Sequence, residues 1–246
     1  MEGEGKLGVT PHLEELRHRL LKSLIAIALG VGVSFPFVPR AFDILKSRAP
    51  DTDFVFTEVA GMVGPYIKMA FYCGFVLALP YLVYQAVMFA YPGMTSKEKR
   101  YFYLLLPGVA LFFLGGAMFA YFICLPPALR FLLGFGSDIA QPMISIGNYV
   151  AVVIKLIFWI GVVFELPVIM FFLTKMGVVT PDALSGKRKH AVVGAFVLAA
   201  IITPTPDPVN QSLVALPVIL LYELGILLSK VARVRKEEPA PEVQLE

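Results

Sequence analysis

Charged side chains are scarce in this chain of 246 residues: 16% are Asp, Glu, Lys or Arg, whereas 58% are hydrophobic. A soluble domain of this length usually carries about a quarter charged residues and just under half apolar ones. The composition therefore excludes a soluble globular enzyme and a disordered protein. The net charge of +3 is too small and too dispersed to indicate nucleic-acid binding. Charges that cluster between long apolar runs are typical of a polytopic helical membrane protein.

The residues that usually carry chemistry are also few. Two cysteines cannot staple a secreted domain, and Cys73 and Cys124 are predicted to be buried small apolar residues within spans. The three histidines, His12, His18 and His190, are scattered and show no metal-ligand spacing. The chain contains no Gly-rich phosphate loop, no zinc motif and no nucleophile elbow. We therefore predict no enzyme activity, no cofactor and no bound metal.

Long hydrophobic runs, in contrast, are abundant. Four of six apolar stretches have the ~20 residues that cross a hydrocarbon core, whereas the last two are predicted to be short, with 14 and about 16 apolar positions. We predict an all-α polytopic membrane protein, a concave bundle of six transmembrane helices in one domain (1–235), followed by a polar disordered tail (236–246). The predicted spans are 20–38, 66–89, 102–125, 150–173, 190–203 and 209–229.

The distribution of Lys and Arg predicts the orientation, because positive residues concentrate in cytoplasmic segments. Fifteen lie in the N-terminal segment, the loops after spans 2 and 4, and the C-terminal segment; six lie on the other side. Both termini are therefore predicted in the cytoplasm, with three loops outside. The longest outer loop, 39–65, is expected to contain a short helix at 41–46, and another runs from 126 to 149.

A cytoplasmic amphipathic helix is predicted to lead into the first span. Thr10 is a good helix cap and Pro11 suits the first helical position. Leu13, Leu16, Leu20 and Leu24 then recur at helical spacing. The helix carries Glu15, Arg17 and Arg19, and a solvated Glu15–Arg19 salt bridge four residues apart is the plain alternative to a binding role.

The loop after the second span, 91–101, is the second candidate. Pro92-Gly93 ends the span, and Thr95 or Ser96 can cap the next helix. Glu98 lies in the first turn of that helix, where a carboxylate also suits the helix dipole. An ordinary capped loop explains this pattern as well.

Glu165 is the third candidate, because it lies about 15 residues into the fourth span, where an ionisable residue costs a few kcal/mol. Pro167 is predicted to kink the helix beside it. Its expected polar partners are Gln85 in span 2 and Gln211 at the start of span 6, and a purely structural hydrogen bond is the alternative.

The outer hairpin at 203–208 precedes the sixth span. Asp207 in this hairpin is a candidate site residue that could equally cap the sixth span. Glu223, late in that span, is expected to be a charge that snorkels to the interface.

Taken together, these stretches resemble the TatC family, the multispan receptor subunit of the twin-arginine protein translocase. The family plan has six spans with both termini inside and the last two spans short. The similarity covers residues 10–229, and the segments that carry it are HLEELRHRLL at 12–21, YQAVMFAYPGMTSKEKR at 84–100, FAYFICLP at 119–126, FELPV at 164–168, VGAFVLAAIITPTPD at 193–207 and NQSLVALP at 210–217.

The resemblance implies a receptor for signal peptides with paired arginines and the core subunit of a translocase. It implies that this translocase moves folded cargo across the cytoplasmic membrane and that the proton-motive force drives the transport. It also implies TatA/TatB-type single-span partners, contact with membrane lipid and a homo-oligomer within the translocase, but no nucleic acid. Two segments depart from the family pattern, since Pro92-Gly93-Met94-Thr95 replaces P-A-L-Y and the outer hairpin is one residue longer. The residues that the resemblance assigns to signal-peptide binding are Glu15, Arg17 and Glu98, with Phe89 and Arg100 nearby; Glu165 and Asp207 match its intramembrane and outer acids.

Elementary chemistry agrees with a receptor for arginine. A carboxylate accepts the planar guanidinium fork bidentately, and lysine cannot reproduce that geometry. Glu15 and Glu98 on neighbouring cytoplasmic elements could therefore read two adjacent arginines. The competing function is a secondary transporter or channel that uses Glu165 as a proton or ion site. It would require several intramembrane charges or an internal repeat, and the chain shows one central acid and no repeat.

Overall fold

The computed structural model describes residues 9–49, 54–55, 61–90, 96–134, 143–203 and 207–232. Within these ranges, residues 9–12, 90 and 96–106 are described by their backbone alone. The tail predicted at 236–246 lies outside the described residues, and the single-domain boundary remains a prediction.

The described residues are almost entirely helical, as predicted, and ten α-helices follow one another along the chain. A 3-10 turn at Phe35–Phe37 joins the first two helices, and a π-helical turn at Ala120–Cys124 joins the fourth and fifth. The helices are α1 (Val9–Ser34), α2 (Val38–Lys46), α3 (Val63–Ala90), α4 (Ser96–Phe119), α5 (Leu125–Gly134), α6 (Ile146–Val163), α7 (Leu166–Lys175), α8 (Pro181–Gly186), α9 (Arg188–Ile202) and α10 (Pro208–Ala232).

Five helical segments in the described part of the chain have the length and hydropathy to cross a membrane, namely Leu13–Lys46, Val63–Phe89, Pro107–Gly134, Ile146–Lys175 and Pro208–Ala232. The short α9 completes the six-helix plan. Its 15 residues measure about 22 Å, less than the ~30 Å of a hydrocarbon core.

The prediction that both of the last two helices are short holds for α9 only. α10 has 25 residues, because its polar first turn is helical as well. Asn210 in that turn is buried and hydrogen-bonded to Asp207, so its polarity does not shorten the helix.

The third long segment also extends beyond its predicted end. Helical structure continues through Pro126 and Pro127 to Gly134, where an outer loop was predicted from residue 126. A π-helical turn opens the regular hydrogen-bond ladder immediately before these prolines. Their missing N–H groups therefore cost less there than in an unbroken helix.

The fourth segment is interrupted beside Pro167, as the sequence predicts. α6 ends at Val163, and α7 begins at Leu166 with Pro167 in its first turn. Proline is well tolerated at that position, since the first N–H groups of a helix have no partner within the helix. The interruption places Glu165 at the cap position of α7.

α1 and α3 pack against each other with their backbones in contact. A Cβ atom added to Gly30 would clash with the Gly74 carbonyl oxygen, and one added to Gly74 would clash with the Val31 backbone nitrogen. A larger residue at either glycine would force the helices apart. Small residues that allow such close approach are typical of helix contacts in membranes.

The first predicted outer loop contains α2, which begins three residues before the predicted helix. Two tyrosines from other helices satisfy carbonyl groups at its C-terminus. The Tyr149 hydroxyl donates to the Leu45 carbonyl at 2.7 Å, and the Tyr121 hydroxyl donates to the Ile44 carbonyl at 2.9 Å. Next to it, two-residue parallel strands, β1 (Phe54–Val55) and β2 (Ile144–Ser145), connect two loops. This small pair is the one addition to the predicted all-α fold among the described residues.

The buried core joins α2, α3, α6, α9 and α10 through aliphatic side chains such as Val38, Val150, Ile202 and Val214. Large apolar side chains on the outer surfaces of the long helices are exposed, for example Leu29, Leu111 and Leu220. Surfaces of this kind suit contact with lipid, because lipid tails are as apolar as leucine.

Candidate functional site

Arg19, near the N-terminal end of α1, forms hydrogen bonds with side chains of both α1 and α3. The Arg19 guanidinium donates from Nε to Glu15 Oε1 at 3.0 Å and from Nη2 to the same oxygen. Its third nitrogen, Nη1, donates to Gln85 Oε1 on α3 at 3.3 Å. The Glu15–Arg19 pair is thus present as the sequence suggests, but it is not a purely solvated pair, because the buried Gln85 joins it.

The glycine contact explains why these side chains meet. Arg19 precedes Gly30 by eleven residues, and Gln85 follows Gly74 by eleven residues. Eleven residues are about three helical turns, or ~16 Å, so the faces that touch at the glycines meet again at Arg19 and Gln85. The packing of α1 on α3 therefore positions the acceptor atoms.

The remaining residues assigned to signal-peptide binding lie on the same helices and on α4. Arg17 is exposed on α1, and Phe89 lies one turn beyond Gln85 on the same face of α3, half-buried. Glu98 and Arg100 lie in the first turns of α4, and their side chains are outside the described part of the structure. Of the residues near this site, the structure joins Glu15 and Gln85 through Arg19.

Glu165 lies elsewhere, at the break between α6 and α7. Its side chain is buried, and neither carboxylate oxygen has a hydrogen-bond partner in the part of the chain that the structure describes. The Phe113 backbone in α4 comes near it, because α4 and α6 pack closely: a Cβ atom on Gly161 would lie 2.8 Å from the Phe113 ring.

The expected hydrogen bond from Glu165 to Gln85 or Gln211 is therefore wrong. Gln85 accepts from Arg19 instead. Gln211 lies half-buried in the first turn of α10 and makes no hydrogen bond to Glu165. These pairs were predicted because all three side chains are polar and lie within spans. The orientation of each helix, however, decides which polar side chains face each other.

Asp207 caps α10, the structural alternative that the sequence left open. Its Oδ1 accepts from the Asn210 backbone N–H at 2.7 Å, and its Oδ2 accepts from the Asn210 side-chain amide at 2.9 Å. One of the backbone donors that a helix start leaves unsatisfied, the Asn210 N–H, is in this way occupied, and the second bond holds the Asn210 side chain in place.

Two interhelical contacts of charged residues were not anticipated. Glu223 forms a bidentate ion pair with Arg188 at the start of α9, with Nε to Oε1 at 2.7 Å and Nη2 to Oε2 at 3.0 Å, rather than only snorkelling. Lys155 on α6 donates to the Ile201 carbonyl at the C-terminus of α9 at 2.6 Å. Both contacts fix the short α9, and residue spacing within one helix cannot reveal either of them.

Comparison with known proteins gives the same family over most of the chain. The family described as Sec-independent protein translocase protein (TatC) matches residues 11–217. The chain belongs to the TatC family. It is 42% identical over 236 residues to the Sec-independent protein translocase protein TatC of Aquifex aeolicus, covering 94% of this chain and 98% of that one. The namesake of Deinococcus radiodurans is 35% identical, covering 94% and 90%.

The fold agrees with a solved TatC structure as well. A crystal structure of the twin-arginine translocase receptor TatC is 42% identical to this chain and superposes with a TM-score of 0.79. The superposition covers 90% of this chain and 99% of the other. The six-helix plan of the multi-pass membrane protein described above is thus the TatC plan, and TatC is a family of protein translocase components.

Proposed function

We propose that this protein is the receptor for twin-arginine signal peptides and the core subunit of a translocase that moves folded proteins across the cytoplasmic membrane. Membership of the TatC family supports the process. The observation that carries the receptor role is the arginine bound by Glu15 and Gln85 between α1 and α3. A site that already holds one guanidinium in acceptor geometry has the chemistry to hold another.

In this proposal Glu15 and Glu98 each read one arginine of the signal, while Arg17, Phe89 and Arg100 line the surrounding surface. Carboxylates accept the guanidinium fork in a way that an ammonium does not reproduce. The positive residues around them attract anionic lipid headgroups and keep the site at the membrane surface. Both termini face the cytoplasm, and the proton-motive force drives transport.

Glu165 serves a different step at membrane depth. An unpartnered buried carboxyl group offers a polar contact to an incoming helix. TatA/TatB-type single-span subunits, or the apolar stretch of the signal peptide, are the proposed contacts. An interhelical hydrogen bond of this type is worth about 0.6–2 kcal/mol, which suits a complex that assembles and disperses with its cargo.

Binding of a twin-arginine precursor to purified protein tests the proposal. We expect Glu15→Gln and Glu98→Gln to weaken binding, and the double variant to weaken it by about tenfold to a thousandfold. Removing one partner of a close charge pair costs roughly 2–5 kcal/mol when the pair is desolvated and less where it is exposed to water. Glu14→Gln is the matched control, since Glu14 is an exposed neighbour on the same helix. Unchanged precursor binding in the double variant would contradict the receptor site.

A further inference from the structure

The side chain of Arg19 already occupies the arginine site formed by Glu15 and Gln85. We propose that Arg19 is a resident competitor, because its guanidinium occupies the position that one signal-peptide arginine takes. The incoming arginine must displace Arg19, and it then donates hydrogen bonds to Glu15 and to Gln85. This inference rests on the proposed receptor function and adds to it the occupant and the specificity role of Gln85.

The Arg19 contact is weaker in form than an arginine–glutamate pair can be. Both of its nitrogens that reach Glu15 bind the same oxygen, Oε1. In the same molecule, Arg188 binds Glu223 bidentately and donates one hydrogen bond to each carboxylate oxygen. That arrangement is the stronger one. An incoming guanidinium that engages both oxygens of Glu15 can therefore replace Arg19.

The site is also open to an incoming ligand. The side chains of Arg19 and Glu15 are 21% and 32% exposed, so solvent and a peptide can reach them. Gln85 is buried, and its amide oxygen accepts from Arg19. When Arg19 leaves, this buried acceptor requires a new donor, since a buried polar group without a partner is costly.

Only a planar, several-pronged cation satisfies both acceptors at once. Glu15 and Gln85 lie on different helices, and Arg19 reaches them with different nitrogens of one guanidinium. A lysine ammonium is a compact point charge and lacks that span. The glycine contact at Gly30 and Gly74 holds the two helices in place, so the acceptors stay positioned while the Arg19 side chain moves.

Affinity measurements with synthetic signal peptides on the full-length purified protein test this inference. One peptide carries the arginine pair and a second carries two lysines in its place. We expect Arg19→Gln to bind the twin-arginine peptide about 1.5-fold to fivefold more tightly than the wild type, the range set by the loss of a partly exposed pair four residues apart. Lys22→Gln, which removes an exposed positive charge one turn further along the same helix, is the control and should leave the affinity near the wild-type value.

Gln85→Leu provides an independent measurement. We expect it to lower the preference for arginine over lysine peptides, because the second acceptor is lost. If Arg19→Gln does not purify, Arg19→Lys tests the same point, with a smaller gain in affinity.

The outcomes separate this inference from the proposed function. Unchanged or weaker twin-arginine binding in Arg19→Gln, or an equal gain for the arginine and lysine peptides, overturns the competitor role. An unaltered arginine preference in Gln85→Leu overturns the acceptor role. A wild-type protein that binds neither peptide, or binds both equally, contradicts the receptor function itself.

Discussion

At the scale of single residues, Glu165 is the side chain with the most buried, unpaired polar atoms among the described residues. Both of its oxygens are buried, and neither has a hydrogen-bond partner within the described residues. A group that stabilised the resting fold would be expected to have a partner, since buried polar groups are nearly always hydrogen-bonded. We therefore infer that its hydrogen-bond partner belongs to another helix that docks beside the break between α6 and α7.

We therefore expect Glu165→Ala to impair transport without lowering stability. Removing a buried polar group that has no partner is close to neutral for folding or stabilises it, whereas the lost contact weakens the docking of a partner helix by about threefold to thirtyfold. Glu165→Gln keeps the polar group and should be milder. The measurements are transport of a reporter precursor, precursor binding to purified protein, and the melting temperature.

A clear drop in the melting temperature of Glu165→Ala would favour a structural hydrogen bond over the proposed contact role. Loss of precursor binding at the cytoplasmic surface would contradict the separation of the two sites. Normal transport by Glu165→Ala would remove Glu165 from the mechanism.

At the scale of secondary-structure elements, the α1–α3 contact can be tested with two glycines of the same helix. A Cβ atom at Gly30 would meet the Gly74 backbone, whereas one at Gly32 would meet nothing within 4 Å among the described residues. We expect Gly30→Ala to destabilise the protein by about 1–3 kcal/mol, because helix backbones cannot yield as a flexible side chain can.

Gly32→Ala should be neutral or slightly stabilising, because alanine favours helix by up to about 1 kcal/mol over glycine. Unfolding followed by circular dichroism in detergent compares the two variants. Gly30→Ala should also weaken arginine-peptide binding, since it shifts Glu15 relative to Gln85. Equal stability of both variants would show that the glycine contact does not hold the helices.

The short α9 offers a second test at this scale. Lys155 supplies a donor to the Ile201 carbonyl at a helix end that leaves carbonyl groups unsatisfied. Lys155→Met keeps the length of the side chain but removes the donor, and we expect it to destabilise the protein by about 1–3 kcal/mol. Lys155→Arg should retain most of the stability, and a melting temperature of Lys155→Met equal to that of the wild type would contradict this role.

At the scale of the whole molecule, the proposed orientation can be checked with two exposed positions. Met143, between α5 and α6, is 81% exposed, and Val178, between α7 and α8, is 65% exposed. In a background with Cys73→Ala and Cys124→Ala, we expect a membrane-impermeant maleimide to label Met143→Cys in intact spheroplasts. Val178→Cys should react only after the membrane is permeabilised, and the reverse pattern would contradict the orientation.

The sequence by itself determined the number and order of the spans, because a backbone in lipid must satisfy its polar groups within helices and long apolar runs are needed to cover it. The motifs HLEELRHRLL and FELPV likewise indicate the family by themselves. Helix ends were less predictable. The π-helical turn before Pro126 and the buried Asn210 both extended helices beyond the apolar runs that defined the predictions.

Contacts between helices were decided by the tertiary structure alone. Gln85 and Glu165 are both polar residues in predicted spans, and a hydrogen bond between them was therefore predicted from the sequence. The backbone contact at Gly30 and Gly74 instead turns Gln85 towards Arg19, and the break before Pro167 leaves Glu165 beside α4. A periodic pattern specifies which residues share a face of one helix. Which face meets which neighbour depends on where two backbones come close, and only the packed structure contains that information.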